Sequence, residues 1–338
     1  MKNTNQTKRV KPTHVILFLT VLTIFAIAIS LFTGRYPKAG ISSPSIIVTD
    51  NLALKIIWII RIPRIISALL IGAVLASSGY VFQMLFANPL IEPGFLGVSQ
   101  GAAFGAAGSI LLFGYIPILT QISSALFAVI GLILSFSLAS KFHFGGWILR
   151  LILAGIAVSA LFSSGLGLLK YIADPMSELQ DITFWLLGGL WDADWKSLLS
   201  ILFLCLISLI ILYLYRWRIN VLSMNDRSAH AAGISPVFEK RLLLFTATVG
   251  TAAAISVSGL VGWVGLIVPH LARKLVGSDS RFALPVSMIL GALYLLICDT
   301  IGRSLFTGEL PLGILTSIGG ALLFIFLLTS RKSLGKTI

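Results

Sequence analysis

Residues able to do chemistry are sparse in this sequence, and most of them gather in one place. From Arg216 to Arg241 it reads RWRINVLSMNDRSAHAAGISPVFEKR, where Arg216, Arg218, Arg227, Lys240 and Arg241 stand against Asp226 and Glu239. A net basic loop between apolar runs is retained on the cytoplasmic side of a membrane. Its inner part, Asn225 to Ala232, is small and helix-compatible, and Gly233 and Pro236 follow it, which predicts a short helix and then a turn. Two uses fit such a loop: a solvated connector between halves of a bundle, or a surface on which a cytoplasmic motor pushes. No GxxxxGK[ST] run is present to hold a nucleotide phosphate, and no HExxH or other catalytic constellation appears, so the chain is read as a non-enzyme. No line of histidines or carboxylates runs through the apolar segments, which argues against a proton-driven pump. Cys205 and Cys298 fall inside apolar runs, without disulfide or metal-ligand spacing, and are assigned to packing; no metal site is expected.

The elements that must position these residues are apolar helices. Of the 338 residues 57% are hydrophobic and only 11% charged, against roughly 25% charged in a soluble domain. The stretch from Ile65 to Ser140 holds a single carboxylate or base, Glu92. This is the composition of an all-α polytopic membrane protein, and the formal charge of +13 is explained by loops facing anionic lipid. No basic patch interleaved with aromatics points to nucleic acid. Runs of about 20 apolar residues predict ten spans: 14–33, 58–84, 95–112, 117–139, 149–169, 197–215, 242–258, 260–272, 282–302 and 311–330. The first is read as a retained span with the N-terminus inside. Both termini are then cytoplasmic, and 17 of the 25 Lys and Arg fall inside. Among the exceptions, Arg61 and Arg64 flank Pro63 at the outer start of the second span, and Arg303 ends the ninth. They read either as snorkelling side chains or as an outward basic site for acidic groups of a partner. The outer segment Asp174 to Lys196 contains FWLLGGLW, consistent with a short helix on the outer surface. Glycines inside the spans are assigned to close helix packing.

Three stretches together resemble the FecCD family, the permeases of iron-siderophore, haem and vitamin B12 ATP-binding-cassette (ABC) importers. They are RIPRIISALLIGAVLASSGYVFQMLFANPLIEPGFLGVSQGAAFGAA from Arg61, LAGIAVSALFSSG with FWLLGGLW between Ile152 and Trp191, and Val257 to Leu328 with VSGLVGWVGLIVPHLARKLVGSD, CDTIGR and ELPLGILTSIGGALLF. The resemblance implies a vitamin B12 permease-like (type II importer) architecture of ten spans with an inverted repeat, spans two to five against seven to ten. The short runs GAVLASSG (72–79) and GTAAAISVSG (250–259) are faintly alike, in keeping with it. One transmembrane domain, 1–338, is expected, with spans one to six in 14–215, a coupling loop at 216–241 and spans seven to ten in 242–330.

The resemblance also implies partners: a second permease copy or paralogue, two ATP-binding subunits that hold the ATP and Mg, and an extracytoplasmic substrate-binding protein, all in or at the cytoplasmic (inner) membrane of a bacterium or archaeon. No cofactor is expected in the chain itself. In NDRSAHAAG, Asp226, Arg227, Ala229, Ala232 and Gly233 would contact the ATPase; the family usually has Gly-Glu where this chain has Asn225-Asp226. Arg61, Arg64 and Arg303 match outer arginines that receive acidic residues of the binding protein. Asn88, Pro89 and Leu90 look like one cytoplasmic gate, and the turn 142–147 with Gly145 and Gly146 like the other. The fifth span, with Ala154, Ser159, Ser163 and Ser164, should line the pathway. His270 is given no chemistry. The expected cargo is a metal chelate, an iron(III)-siderophore first, with cobalamin, haem or molybdate/tungstate as alternatives; a secondary transporter is the reading from another class.

Overall fold

A computed structural model of the chain describes residues 11–36, 40–43, 50–224, 226–305 and 308–329. Lys2, Lys8, Arg9, Lys38, Asn225, Arg331, Lys332 and Lys336 lie outside the described residues, as does the side chain of Asp226. The chain forms helices α1 Pro12–Phe32, α2 Asn51–Leu85, α3 Val98–Phe113, α4 Pro117–Lys141, α5 Trp147–Ile172, α6 Glu178–Leu187 and α7 Trp195–Leu214. Then follow α8 Arg216–Leu222, α9 Asp226–Ala231, α10 Pro236–Ser258, α11 Val264–Val276, α12 Ser280–Ser304 and α13 Leu312–Thr329. A two-residue antiparallel pair, β1 Thr33–Gly34 and β2 Gly40–Ile41, follows α1.

Ten of these helices stand where ten spans were predicted. Eight are long and apolar enough to cross a membrane. The other two, α3 and α11, have 16 and 13 residues, about 24 and 20 Å of helix against a hydrocarbon core of about 30 Å. Each is entered through a left-handed residue, Gly97 (φ +80°) and Trp263 (φ +71°), after a non-α segment. Such irregular backbone is tolerated at membrane depth only where protein surrounds it. Helix α2 begins at Asn51, before the predicted start, because the Asp50 side chain caps it by accepting from Leu52 N (2.8 Å) and Ala53 N (3.2 Å). One π turn, Ile57–Arg61, carries it past Pro63, which has no N–H to donate.

The inverted repeat is visible in the packing. α2 packs on α11 and α12, and α10, its counterpart, packs on α3 and α4. Likewise α3 packs on α4 as α11 packs on α12. Helices α2, α10 and α12 form the buried centre, while α1, α5, α7 and α13 leave most of their surface uncovered. The short outer helix is α6; its Ile182 and Trp185 are buried, and Phe184 meets Trp191 beyond the turn at Gly188.

Helices α2 and α12 approach each other backbone to backbone. A methyl group on Gly72 would overlap the Gly291 carbonyl, and one on Gly291 the Gly72 carbonyl. Small residues facing each other let helices meet this closely. Gly72→Ala is therefore expected to cost about 1–3 kcal/mol by overpacking, seen as a lower thermal midpoint in detergent. Gly167→Ala on α5, where a methyl group meets nothing within 4 Å, is expected to be neutral or to stabilise by up to about 1 kcal/mol.

Candidate functional site

The central loop folds as two short helices. In α8, Ile219 and Leu222 are buried, and the helix is tied down by Asn220, whose Nδ2 donates to Asp279 Oδ1 (2.8 Å) while its Oδ1 accepts from Ser280 N (2.8 Å). The Arg281 guanidinium beside Asp279 holds that carboxyl down at about 2, so the anchor stays charged. Arg218 pairs with the buried Glu239 at the start of α10. Helix α9 ends where predicted: Gly233 takes φ +73°, its N–H donates to His230 O (3.0 Å), and Ile234 N–H donates to Ala229 O (3.1 Å). This paired closure needs the left-handed residue that glycine supplies. Arg227, Ala232 and Gly233 are exposed, but Ala229 is only 1% exposed. Its expected contact with a partner is corrected: it packs inward, because the helix closure draws it over the buried Ile234.

At the opposite end of α2 the three predicted arginines come together around one cavity of about 200 Å³, shared with Tyr36 and Glu309. They are not free outward charges, each being less than a tenth exposed. Arg64 Nε donates to Asp299 Oδ1 (2.8 Å) and its Nη1 to Glu309 Oε1 (3.0 Å). Arg303 Nη1 donates to Thr33 O (2.7 Å), its Nη2 reaches Ser30, and its Nε lies 3.5 Å from Asp299 Oδ2. Arg61 donates to Leu31 O (2.8 Å) and Tyr36 O (3.2 Å). The expectation of snorkelling or outward-pointing side chains gives way to this internal network, since guanidiniums in a low-dielectric surround must find acceptors. Sequence reasoning missed its centre, Asp299, which is fully buried. The signal was there: a carboxylate inside an apolar span, one turn before Arg303 on the same helix.

The turn Asn88–Leu90 lies at the loop end of α2. Ala87 takes φ +48°, and Asn88 Oδ1 accepts from Leu90 N (2.9 Å), so Pro89 and Leu90 project exposed. Asn88 and Pro89 share a cavity of about 280 Å³ with Arg273 and with Ser223 of the central loop. Gln83 fixes this end of α2, donating to Gly265 O (3.2 Å) and Leu266 O (2.9 Å) and accepting from Arg273. Gly145 (φ +65°) and Gly146 form the exposed turn before α5.

On α5 the exposed stripe runs through Leu153, Ile156, Ala160, Leu161, Ser164 and Leu168. Ser163 is exposed at its edge and Ser159 half-buried. Ala154 is a correction: it is fully buried, turned into the core on the face that packs against the turn preceding α3.

The profile of the FecCD transport family matches residues 21–330. The chain belongs to that family. It is therefore an ABC importer permease, a multi-pass membrane subunit that works with ATPase and substrate-binding partners. The molybdate import system permease protein MolB of Haemophilus influenzae is 39% identical over 317 residues, 91% of this chain and 94% of that protein. The hemin transport system permease protein HmuU of Yersinia pestis is 36% identical over 332 residues, 96% of this chain and 98% of that one. A solved ABC transporter described as of the metal-chelate type, in an inward-facing conformation, superposes with a TM-score of 0.87 at 38% identity, covering 94% of this chain and 99% of that one.

Two measurements probe this FecCD permease's fixed charges. Removing one partner of a buried pair costs about 3–5 kcal/mol, so Arg64→Ala is expected to lower the thermal midpoint steeply, whereas Glu309→Gln, which changes a carboxylate that is itself 37% exposed, costs about 1 kcal/mol or less. The second concerns Glu92, half-buried between the Asn88 turn and α3, with its carboxylate beside Gly265 at the start of α11. Burial of the carboxyl pushes it up from 4.5 to about 7. The folded chain thus favours the neutral form; that contribution is complete below 4.5 and is lost as pH rises through about 7. Glu92→Gln is expected to flatten the fall in thermal midpoint between about pH 4.5 and about pH 7.

Proposed function

We propose that this permease carries a metal chelate, an iron(III)-siderophore, from an extracytoplasmic binding protein into the cytoplasm, using ATP hydrolysed by two partner subunits. The observation that carries the coupling half of this reading is the position of the central loop. Its α8 is bonded to the start of α12, and its Ser223 borders the same cavity as the Asn88–Pro89 turn. An ATPase that grips Asp226, Arg227, Ala232 and Gly233 and moves α9 would therefore act directly on the inner gate. ATP and Mg bind in those partners; this chain supplies no nucleotide site and no cofactor. The loop end is cytoplasmic in this reading, and both termini lie on that side.

A second permease, a copy or a paralogue, closes the pathway against the exposed stripe of α5, where Ser159, Ser163 and Ser164 offer only weak polar contacts. Weak contacts suit a route from which cargo must leave. Docking of the binding protein uses the arginine cavity: a carboxylate from each lobe enters it and exchanges with Glu309, the partly exposed member of the network, for Arg64, Arg303 and Arg61. Gly145 and Gly146 supply the flexible backbone of the second gate.

The likeness to a metal-chelate type transporter and to a hemin permease supports the chelate cargo. The likeness to MolB supports a second reading, molybdate, within the same importer class. Reconstitution with the ATP-binding subunit tests both. ATPase activity in liposomes is expected to rise with a binding protein loaded with iron(III)-siderophore, and to lose that stimulation in Asp226→Ala/Arg227→Ala. Stimulation by the molybdate-loaded protein alone moves the cargo to the second reading. Uptake by the purified chain alone, driven by an ion gradient, would overturn the importer reading in favour of a secondary transporter.

A further inference from the structure

On the flank of the bundle, at the loop end, the last turns of α4, the first turn of α5 and the first turns of α10 diverge around a cavity of about 810 Å³. That lies within the span of about 300–1,000 Å³ typical of ligand pockets. Its wall is apolar, with Ile133 and Phe136 from α4, Trp147 from α5, and Leu242 and Phe245 from α10. Two guanidiniums, of Arg150 and Arg241, line the same wall.

Neither cation meets a carboxylate among the described residues. Arg150 makes one hydrogen bond, from Nη1 to Phe142 O (2.7 Å), and its buried Nε has no partner. Arg241 is exposed and meets no acceptor or carboxylate among the described residues. On α5 the cavity reaches the start of the exposed stripe, at Arg150 one turn before Leu153. On α4 the lining residues Ile133, Ser137 and Ser140 continue the exposed face that carries Ile122 and Leu126, a face apolar enough to lie against acyl chains. Apolar walls at bilayer depth suit an acyl chain, and two guanidiniums at the interface suit a phosphate, which takes paired N–H donors. A zwitterionic headgroup would bring its ammonium beside two cations and gain less.

We propose that this cavity binds one acidic phospholipid, chain against the α4 and α10 walls and phosphate between Arg150 and Arg241. The site bridges α5, which borders the proposed pathway, and α10, which follows directly on the central loop, so bound lipid would brace those two helices against each other. The inference requires that the chain spans a bilayer and is independent of cargo.

Native mass spectrometry of the full chain, released from nanodiscs of phosphatidylglycerol or phosphatidylcholine, tests it. Wild type is expected to keep one phosphatidylglycerol under activation that strips phosphatidylcholine. With each base near an anionic surface contributing as cations there commonly do, Arg150→Gln/Arg241→Gln is expected to hold phosphatidylglycerol roughly thirty-fold more weakly. Arg150→Lys/Arg241→Lys is expected to keep most of the binding. Should the glutamine variant fail to fold, wild type still decides: a photoactivatable phosphatidylglycerol is expected to label peptides spanning 133–150 and 238–245. Equal retention of both lipids by wild type, labelling only elsewhere, or displacement by free inorganic phosphate would overturn the proposal. So would a lipid-free cavity in the assembled complex, with a segment of the ATPase subunit crosslinked into it.

Discussion

Helices α2 and α12 are locked together from Arg64 to Tyr80 of α2, and the rest of the fold is arranged around that seam. At one end Arg64 pairs with the buried Asp299. In the middle, Gly72 and Gly291 bring the two backbones together, and Ser287 Oγ donates to Ala76 O (3.2 Å). Near the loop end Tyr80 Oη donates to Ser280 Oγ (3.0 Å). Each device suits its depth. In lipid there is no hydrophobic force to press helices together, so close packing and internal hydrogen bonds must hold them. Charge is tolerated only where it is paired.

The seam also joins the two candidate working ends by continuous contact. Asp299 shares Arg64 and Arg303 at one end; at the other, Ser280 N–H and the capping Asp279 hold Asn220 of α8. The ion-paired charges Arg64, Arg303, Asp299 and Glu309 sum to zero, and the third guanidinium, Arg61, is held by the carbonyls of Leu31 and Tyr36 and leaves the cavity one net positive charge. An incoming carboxylate would disturb that balance through Glu309, its most exposed carboxylate. The opposed glycines rule out one mechanical response: α2 and α12 cannot slide along each other without driving backbone into backbone. A push at α8 is therefore passed on as a motion of the pair.

Much of this was legible from the chain alone. Ten spans followed from apolar run length, and the end of α9 from Gly233, because both depend on local chemistry. The fate of the arginines was not legible. Arg64 meets Asp299 and Glu309, 235 and 245 residues away, and Arg303 meets Ser30, 273 residues away; a basic residue at a span end looks the same whether its partner is water or a distant carboxylate. Ala154 shows a second limit. Small residues suggest a close approach, but the approach can be to the protein's own core, and only the packing of α5 against the turn before α3 decides which face is covered. Helical period groups Leu153, Ile156, Ala160 and Ser164 correctly without saying that theirs is the open face.

The two short helices carry the argument from stability to motion. α11 starts at Trp263, a non-glycine residue held left-handed, which L side chains adopt at a cost. Gly320 of α13 makes room for it, since a methyl there would overlap the Trp263 side chain, and Phe324 packs edge-on to its ring. The opposite end of α11 is pinned to α2 through Gln83 and Arg273. α11 therefore belongs with the α2–α12 block, and α13 is keyed to that block through one tryptophan. In the other half, α3 and α5 are keyed in the same manner, Gly155 lying against the Phe95 carbonyl in the turn before α3. Each short helix thus links a rigid centre to one of the open-faced helices. Because Phe95 follows the Asn88–Leu90 turn on the same non-α segment, a displacement of that turn is passed to α5, so the turn and the exposed stripe of α5 are mechanically linked.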